Sequence, residues 1–147
     1  MSLHVTRFGD VIDWLIDALE DHPDLVDVQV SEGWADRYQD MLMIGAAELD
    51  QEWQQLGART RDETVTVDIN VYVAREGDTA TKIRQRCVEI GDTVATVLRQ
   101  DAATSITLGG LCTSSSLIPI RYTPGVIPDG RDGLLQLQLR AVHIRFP

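Results

Sequence analysis

The sequence predicts a single α+β domain over residues 1–147: a mostly antiparallel sheet with two helices packed on one face. Three observations lead there. Residues Thr64 to Ala74 alternate apolar and polar side chains without a break, as a strand with one buried face requires. Two stretches, one over residues 7–20 and one beginning at Thr79, repeat apolar residues at helical spacing. The segments follow one another as helix, strand, strand, strand, helix, strand, strand, an order that fits a mostly antiparallel sheet.

In the first helix Phe8, Val11, Ile12, Leu15, Ile16 and Leu19 share one side, with Thr6 as the expected cap and His22-Pro23 as the stop. Asp10, Asp13, Asp17, Glu20 and Asp21 fall on the other side, and Trp14 falls among them. A tryptophan is thereby placed on the wet face, either as a ring lying along the helix or as an anchor for another chain. Val26, Val28 and Val30 alternate with polar residues and predict a strand ending at the Glu32-Gly33 turn. The apolar run Met41 to Ile44 predicts an interior strand. Residues 46–62 have no clean period, and a structureless connection of that length is uncommon inside a compact domain. The strand is therefore expected to continue through Trp53, turn near Gly57 and form a projecting arm over residues 46–63.

Val65, Val67, Ile69, Val71 and Val73 form the apolar set of the next strand, opposite Asp68, Asn70 and Tyr72. Thr79 can cap the second helix, whose stripe is Ile83, Cys87, Ile90, Val94 and Leu98, with Gly91 placed to let the helix approach the sheet closely. Ser114 to Ser116 predicts a bulge or bend, and the Pro-Gly-rich stretch from 123 to 132 predicts a loop. In the last segment Leu135, Leu137 and Leu139 give way to Val142, Ile144 and Phe146, a change of phase that predicts a bulge near Arg140.

With 44% hydrophobic and 24% charged residues the composition is that of an ordinary soluble domain, and no apolar run approaches the length of a membrane span. The start Met1-Ser2-Leu3-His4 lacks a basic region followed by an apolar one, so the expectation is a protein that stays where it is made. Cys87 and Cys112 match no metal or redox spacing and suit two buried thiols in a reducing compartment. The formal charge of −10 is concentrated: residues 1–50 carry twelve acids against Arg7 and Arg37, whereas residues 51–147 are balanced. Such a surface repels phosphate backbones, which argues against sequence-specific nucleic-acid binding.

No nucleotide loop, nucleophile elbow, zinc-protease or paired-cysteine motif is present. His4, His22 and His143 lie on unrelated segments, as do Cys87, Cys112 and His143, so neither a catalytic triad nor a zinc site is expected. The acidic helix is expected to be a solvated face, because carboxylates on a straight helix do not wrap an ion as a turning loop does. No enzyme, cofactor or metal is implied. What remains is a set of surfaces suited to self-association, in which a chain adding its edge or arm to the next copy makes a head-to-tail contact that can close into a ring. The expected subunit-interface residues are Trp53, Arg59, Arg61, Asp62 and Glu63, with Trp14 as a further candidate.

The run Glu52-Trp53, then Leu56-Gly57-Ala58-Arg59, then Arg61-Asp62-Glu63 leading into an alternating strand, preceded by a helix and "DLVDVQV", resembles the tail terminator proteins of long non-contractile-tailed phages of actinobacteria. The resemblance extends over most of the chain as an order of elements. It implies a lambda-type α/β subunit that forms a six-membered ring on the last ring of the tail tube, stops tube polymerisation and presents a surface to the head connector. The implied partners are further copies of the chain, the tube protein and the connector or stopper, with DNA only passing through the channel and no membrane. The implied location is the tail-neck junction of the virion, and the host cytoplasm during assembly. Two other readings compete: another neck component, such as a stopper or tail-completion protein, and a small-ligand domain or enzyme using Asp68, Asn70 and Tyr72.

Overall fold

The computed structural model describes residues 5–34, 40–53, 61–99, 108, 110–112 and 115–146. Its elements are α1 (Phe8–Glu20), a 3-10 turn (Pro23–Leu25), β1 (Gln29–Glu32), β2 (Asp40–Trp53), β3 (Arg61–Glu76), α2 (Ala80–Leu98), β4 (Ser116–Ile127) and β5 (Gly130–Phe146). The five strands form one sheet in the order β1-β2-β3-β5-β4. Only the short β1 runs parallel to its neighbour; the other pairs are antiparallel. The α+β architecture expected from the sequence is the one observed, with α1 over β1 and β2 and α2 over β3 and β5.

Strand β3 is central, and its alternation is realised in full. Val65, Val67, Ile69, Val71 and Val73 are completely buried beneath the helices. Val11, Leu15 and Leu19 of α1 and Ile83, Cys87, Ile90 and Val94 of α2 close over them, together with Leu42, Ile44, Leu137 and Leu139 from the flanking strands. Each fully buried aliphatic side chain of this kind contributes about 1.5–3 kcal/mol. A Cβ on Gly91 would lie 3.1 Å from Leu135 Cδ2, so the bare backbone there lets α2 sit close to β5. Met41 and Met43 are also buried, but they belong to the other face and stay outside this cluster.

Several local expectations change in three dimensions. Val26 is 85% exposed and belongs to no strand. Pro23 opens a 3-10 turn there, and His22 Nδ1 accepts from the Asp24 N–H at 3.2 Å, so pairing begins only at Gln29. Arg7, not Thr6, occupies the cap position of α1, although Thr6 Oγ1 accepts from the Phe8 N–H at 3.2 Å. Residues 123–132 are not a loop. β4 continues to Ile127, Pro128 and Asp129 alone make the turn, and β5 begins at Gly130. Pro124 is tolerated because β4 is an edge strand, and Asp129 takes the left-handed φ of 61° that closes a two-residue turn. The irregularity of β4 lies between Pro119 and Arg121; Ser114 lies outside the described residues.

The bulge expected near Arg140 is present. Val65 pairs with Val142 but Val67 pairs with Leu139, so β5 holds one extra residue around Arg140 and Ala141. That insertion moves Val142 and Ile144 into the phase that Leu135, Leu137 and Leu139 occupy before it. The backbone thereby explains the change of pattern in the sequence.

One end of the core is closed by a buried carboxylate. Asp40 accepts from Arg75 Nη2 at 2.7 and 2.8 Å and from Arg86 Nε at 2.9 Å. Arg86 also reaches Asp27 at 3.2 Å and Glu89 at 2.7 Å, so one guanidinium ties α2 to β2 and to the segment before β1. Burial alone would lower the Arg86 pKa, but the hydrogen bond and charge of Asp40, helped by Asp27 and Glu89, hold it above its ordinary value. Replacing Asp40 with alanine leaves two guanidinium groups without their shared anion. Asp40→Ala is expected to destabilise the fold by about 3 kcal/mol, read from urea or thermal unfolding.

Cys87 is packed into this same core, its Sγ 3.7 Å from the Gly133 carbonyl. Burial first, and the nearby negative charge of Asp40 second, push its pKa up from 9.0 to about 11. The native thiol therefore binds its proton more tightly than the unfolded one. The contribution of Cys87 to stability should be fully present below pH 9 and be lost as pH rises toward 11, and Cys87→Ala should flatten that alkaline decline. At pH 8 the native thiol should react with a soluble thiol reagent only after denaturation.

Candidate functional site

Strands β2, β3 and β5 are 14, 16 and 17 residues long, well beyond the usual five or six. Their outer parts form an arm, residues 47–53, 61–66 and 140–146, which begins where the register shifts between Ile44 and Ala47 and between Val65 and Val67. Leu49 occupies the helix-side face opposite Val65 yet is 44% exposed. The outer margin of β2 changes character at the same place, because β1 pairs only with Met41 to Ile44.

Glu63 sits on the helix-side face of the arm, two residues from its Trp53–Arg61 end, and is fully buried. Its carboxylate accepts from Thr6 Oγ1 at 2.5 Å, the Arg7 N–H at 2.7 Å and Gln51 Nε2 at 2.7 Å. Gln51 Nε2 also donates to the Val5 carbonyl at 2.6 Å. The approach to α1 is thus clamped onto the arm by neutral donors rather than by an ion pair. No local pattern in the sequence pairs residue 63 with residues 6 and 7. Glu63→Ala should cost about 2 kcal/mol by stranding these donors, and amide exchange at residues 5–7 should accelerate more than in the centre of β3.

The interface candidates fall into three groups. Trp53 and Arg61 pair directly across the end of the arm, and Arg61 pairs in turn with Phe146 of β5. Asp62 and Glu63 follow on opposite faces, and both are buried within their own subunit. Glu63 is therefore an internal clamp whose side chain offers no surface. Arg59 lies outside the described residues.

Trp14 stands apart from the arm, on α1. Its ring is half-buried against the core cluster, as a ring lying along its helix would be, and its other side lines a depression of about 390 Å³ shared with Asp17, Ala18, Asp21 and His22. The face of the sheet away from the helices carries the buried Met41 and Met43 beside polar residues of β3 and β5, two pairs of which bond to each other. Gln138 Nε2 donates to Asp68 Oδ1 at 3.1 Å, and the Tyr72 hydroxyl donates to Asp132 Oδ2 at 2.8 Å. The Trp34 ring meets Tyr72 edge-on, with centroids 6.4 Å apart. Among the described residues no three His, Cys, Asp or Glu side chains gather as metal ligands, and no helix is long and apolar enough to cross a membrane.

Neither a protein-family model nor a curated protein sequence matches this chain. The geometry is what bears on function: an arm carried by three long strands and a clamped N-terminal approach.

Proposed function

We propose that this chain is a structural subunit of a phage tail neck, a tail terminator that forms a homohexameric ring at the head-proximal end of the tail tube. The observation that carries this reading is the arm, the continuation of three paired strands beyond the register shifts at Ile44/Ala47 and Val65/Val67, where β2 no longer pairs with β1. A sheet margin of that kind offers backbone donors and acceptors to a further chain. An arm of β-structure held by Glu63 is rigid enough to keep one contact geometry in every copy of a ring.

On this reading the protein acts by shape. One ring face fits the tube end, and the other cannot accept another tube subunit, so growth stops and the head connector finds its surface. Further copies, the tube protein and the connector are the partners, and DNA passes without specific contact. The acidic first third of the chain would repel DNA wherever it faced the channel. No bond is made or broken, and the protein resides at the tail-neck junction of the virion.

Electron microscopy of tubes grown from the tail tube protein of the same genome tests the proposal. Adding this chain should cap one end of each tube with a ring and narrow the distribution of tube lengths. Charge reversal at Arg59 and Arg61 together should abolish the ring or change its size. Tubes of unaltered length without end caps would overturn the terminator assignment, and rings indifferent to both reversals would remove these arginines from the interface.

A further inference from the structure

Charge is divided across the width of the sheet. α1 packs along the β1 and β2 margin, and between Phe8 and Asp27 the chain has seven carboxylates and no lysine or arginine. Asp13, Asp17, Glu20 and Asp21 are exposed around the depression beside Trp14. The opposite margin is β4, and its character is reversed. Arg121 is the one charged residue of β4 and is exposed on the face away from the helices, as is Arg140 of the adjoining β5; Arg131 of β5 is exposed on the helix-side face, beside the exposed Asp129 of the β4–β5 turn. Ile120 and Val126, 49% and 74% exposed, add apolar surface to the same strand.

The β4 margin is also a poor template for another strand. Pro119 and Pro124 have no N–H to donate, and the register breaks between Pro119 and Arg121. A partner here must be met through side chains. The acidic margin presents what those side chains require: carboxylates for guanidinium groups and an indole face on which one can stack.

We propose that the α1 margin of one copy docks on the β4 margin of the next, with Arg131, on the helix-side face, entering the acidic depression beside Trp14. The two surfaces differ, so the contact is head-to-tail and propagates until it closes into a ring. Its place in a tail neck rests on the function proposed above, whereas the contact itself rests on the two margins. Because the attraction joins charges exposed in the free subunit, it weakens as salt is added.

Two charge-reversed full-length chains test this. Arg121→Glu with Arg131→Glu reverses the charge of the β4 margin, and Asp17→Arg with Asp21→Arg reverses the charge of the depression itself by replacing both of its lining carboxylates. Native mass spectrometry and sedimentation velocity should find the wild-type chain assembled at low salt and dissociated at high salt. Each variant alone should associate about tenfold more weakly or worse, with its thermal midpoint close to wild type. An equimolar mixture should reassemble with the two chains alternating, since each reversed margin then meets its complement. A wild-type chain that stays monomeric at low salt, variants that assemble like wild type, or a mixture no better than its components would overturn the inference. The terminator reading fails separately, in the tube experiment, where rings that form through these margins but leave tube growth untouched would refute it alone.

Discussion

Both helices are positioned by the need to cover one face of β3. Five consecutive inward positions, Val65 through Val73, are completely buried, and the strand lies between β2 and β5 so that neither of its margins is free. A β-branched strand of that kind cannot be left wet on its apolar face without losing several kcal/mol. α2 covers its middle and approaches closely because Gly91 has no side chain, and α1 covers the side nearer β1. Beyond the register shifts the same three strands continue as the arm, where Leu49 of β2 is exposed while Glu63 and Val65 of β3 stay buried.

Two buried carboxylates bracket this apolar strip on the helix-side face, and each is satisfied differently. Asp40 sits at one end with two guanidinium groups, and its charge is met by charge. Glu63 sits at the other end with a hydroxyl, a backbone N–H and a side-chain amide. The first arrangement ties α2 and the segment before β1 to the sheet edge, and the second ties the start of α1 to the arm. Buried polar groups that fix which elements meet are costly when a partner is lost, which makes such positions sensitive although neither carboxylate performs chemistry. The division of surface charge follows from the same topology. α1 and β4 are far apart in the sheet order, so an acidic helix and an arginine-bearing edge end up on opposite sides of one subunit.

Much of this was legible in the amino-acid order. The alternation of β3, the stripe of α2 with its Thr79 cap and the bulge near Arg140 follow from local period, whereas the continuation of β2 through Trp53 followed from the improbability of a long structureless connection. Trp14 was expected among the carboxylates on the wet face of α1, and its ring is half-buried against the core cluster, as a ring lying along the helix would be. The misreadings share one cause. Val26 alternates like a strand residue, but Pro23 and the His22–Asp24 hydrogen bond hold it in a turn. The prolines and glycines of residues 123–132 signal a loop, but on an edge strand a missing N–H costs nothing, and β5 supplies the pairing that local sequence does not.

By itself the sequence determined the periodicities, and therefore which side of each helix and strand would be apolar, because burial rewards a residue according to its spacing from its neighbours. It likewise determined the acidic first third and the two thiols of the interior. Only the tertiary structure decided that Asp40 would meet Arg75 and Arg86, that Glu63 would hold Thr6 and Arg7, and that acid and arginine would occupy opposite margins. Those contacts join residues dozens of positions apart, and no short-range pattern encodes a partner that arrives only when the sheet order is fixed.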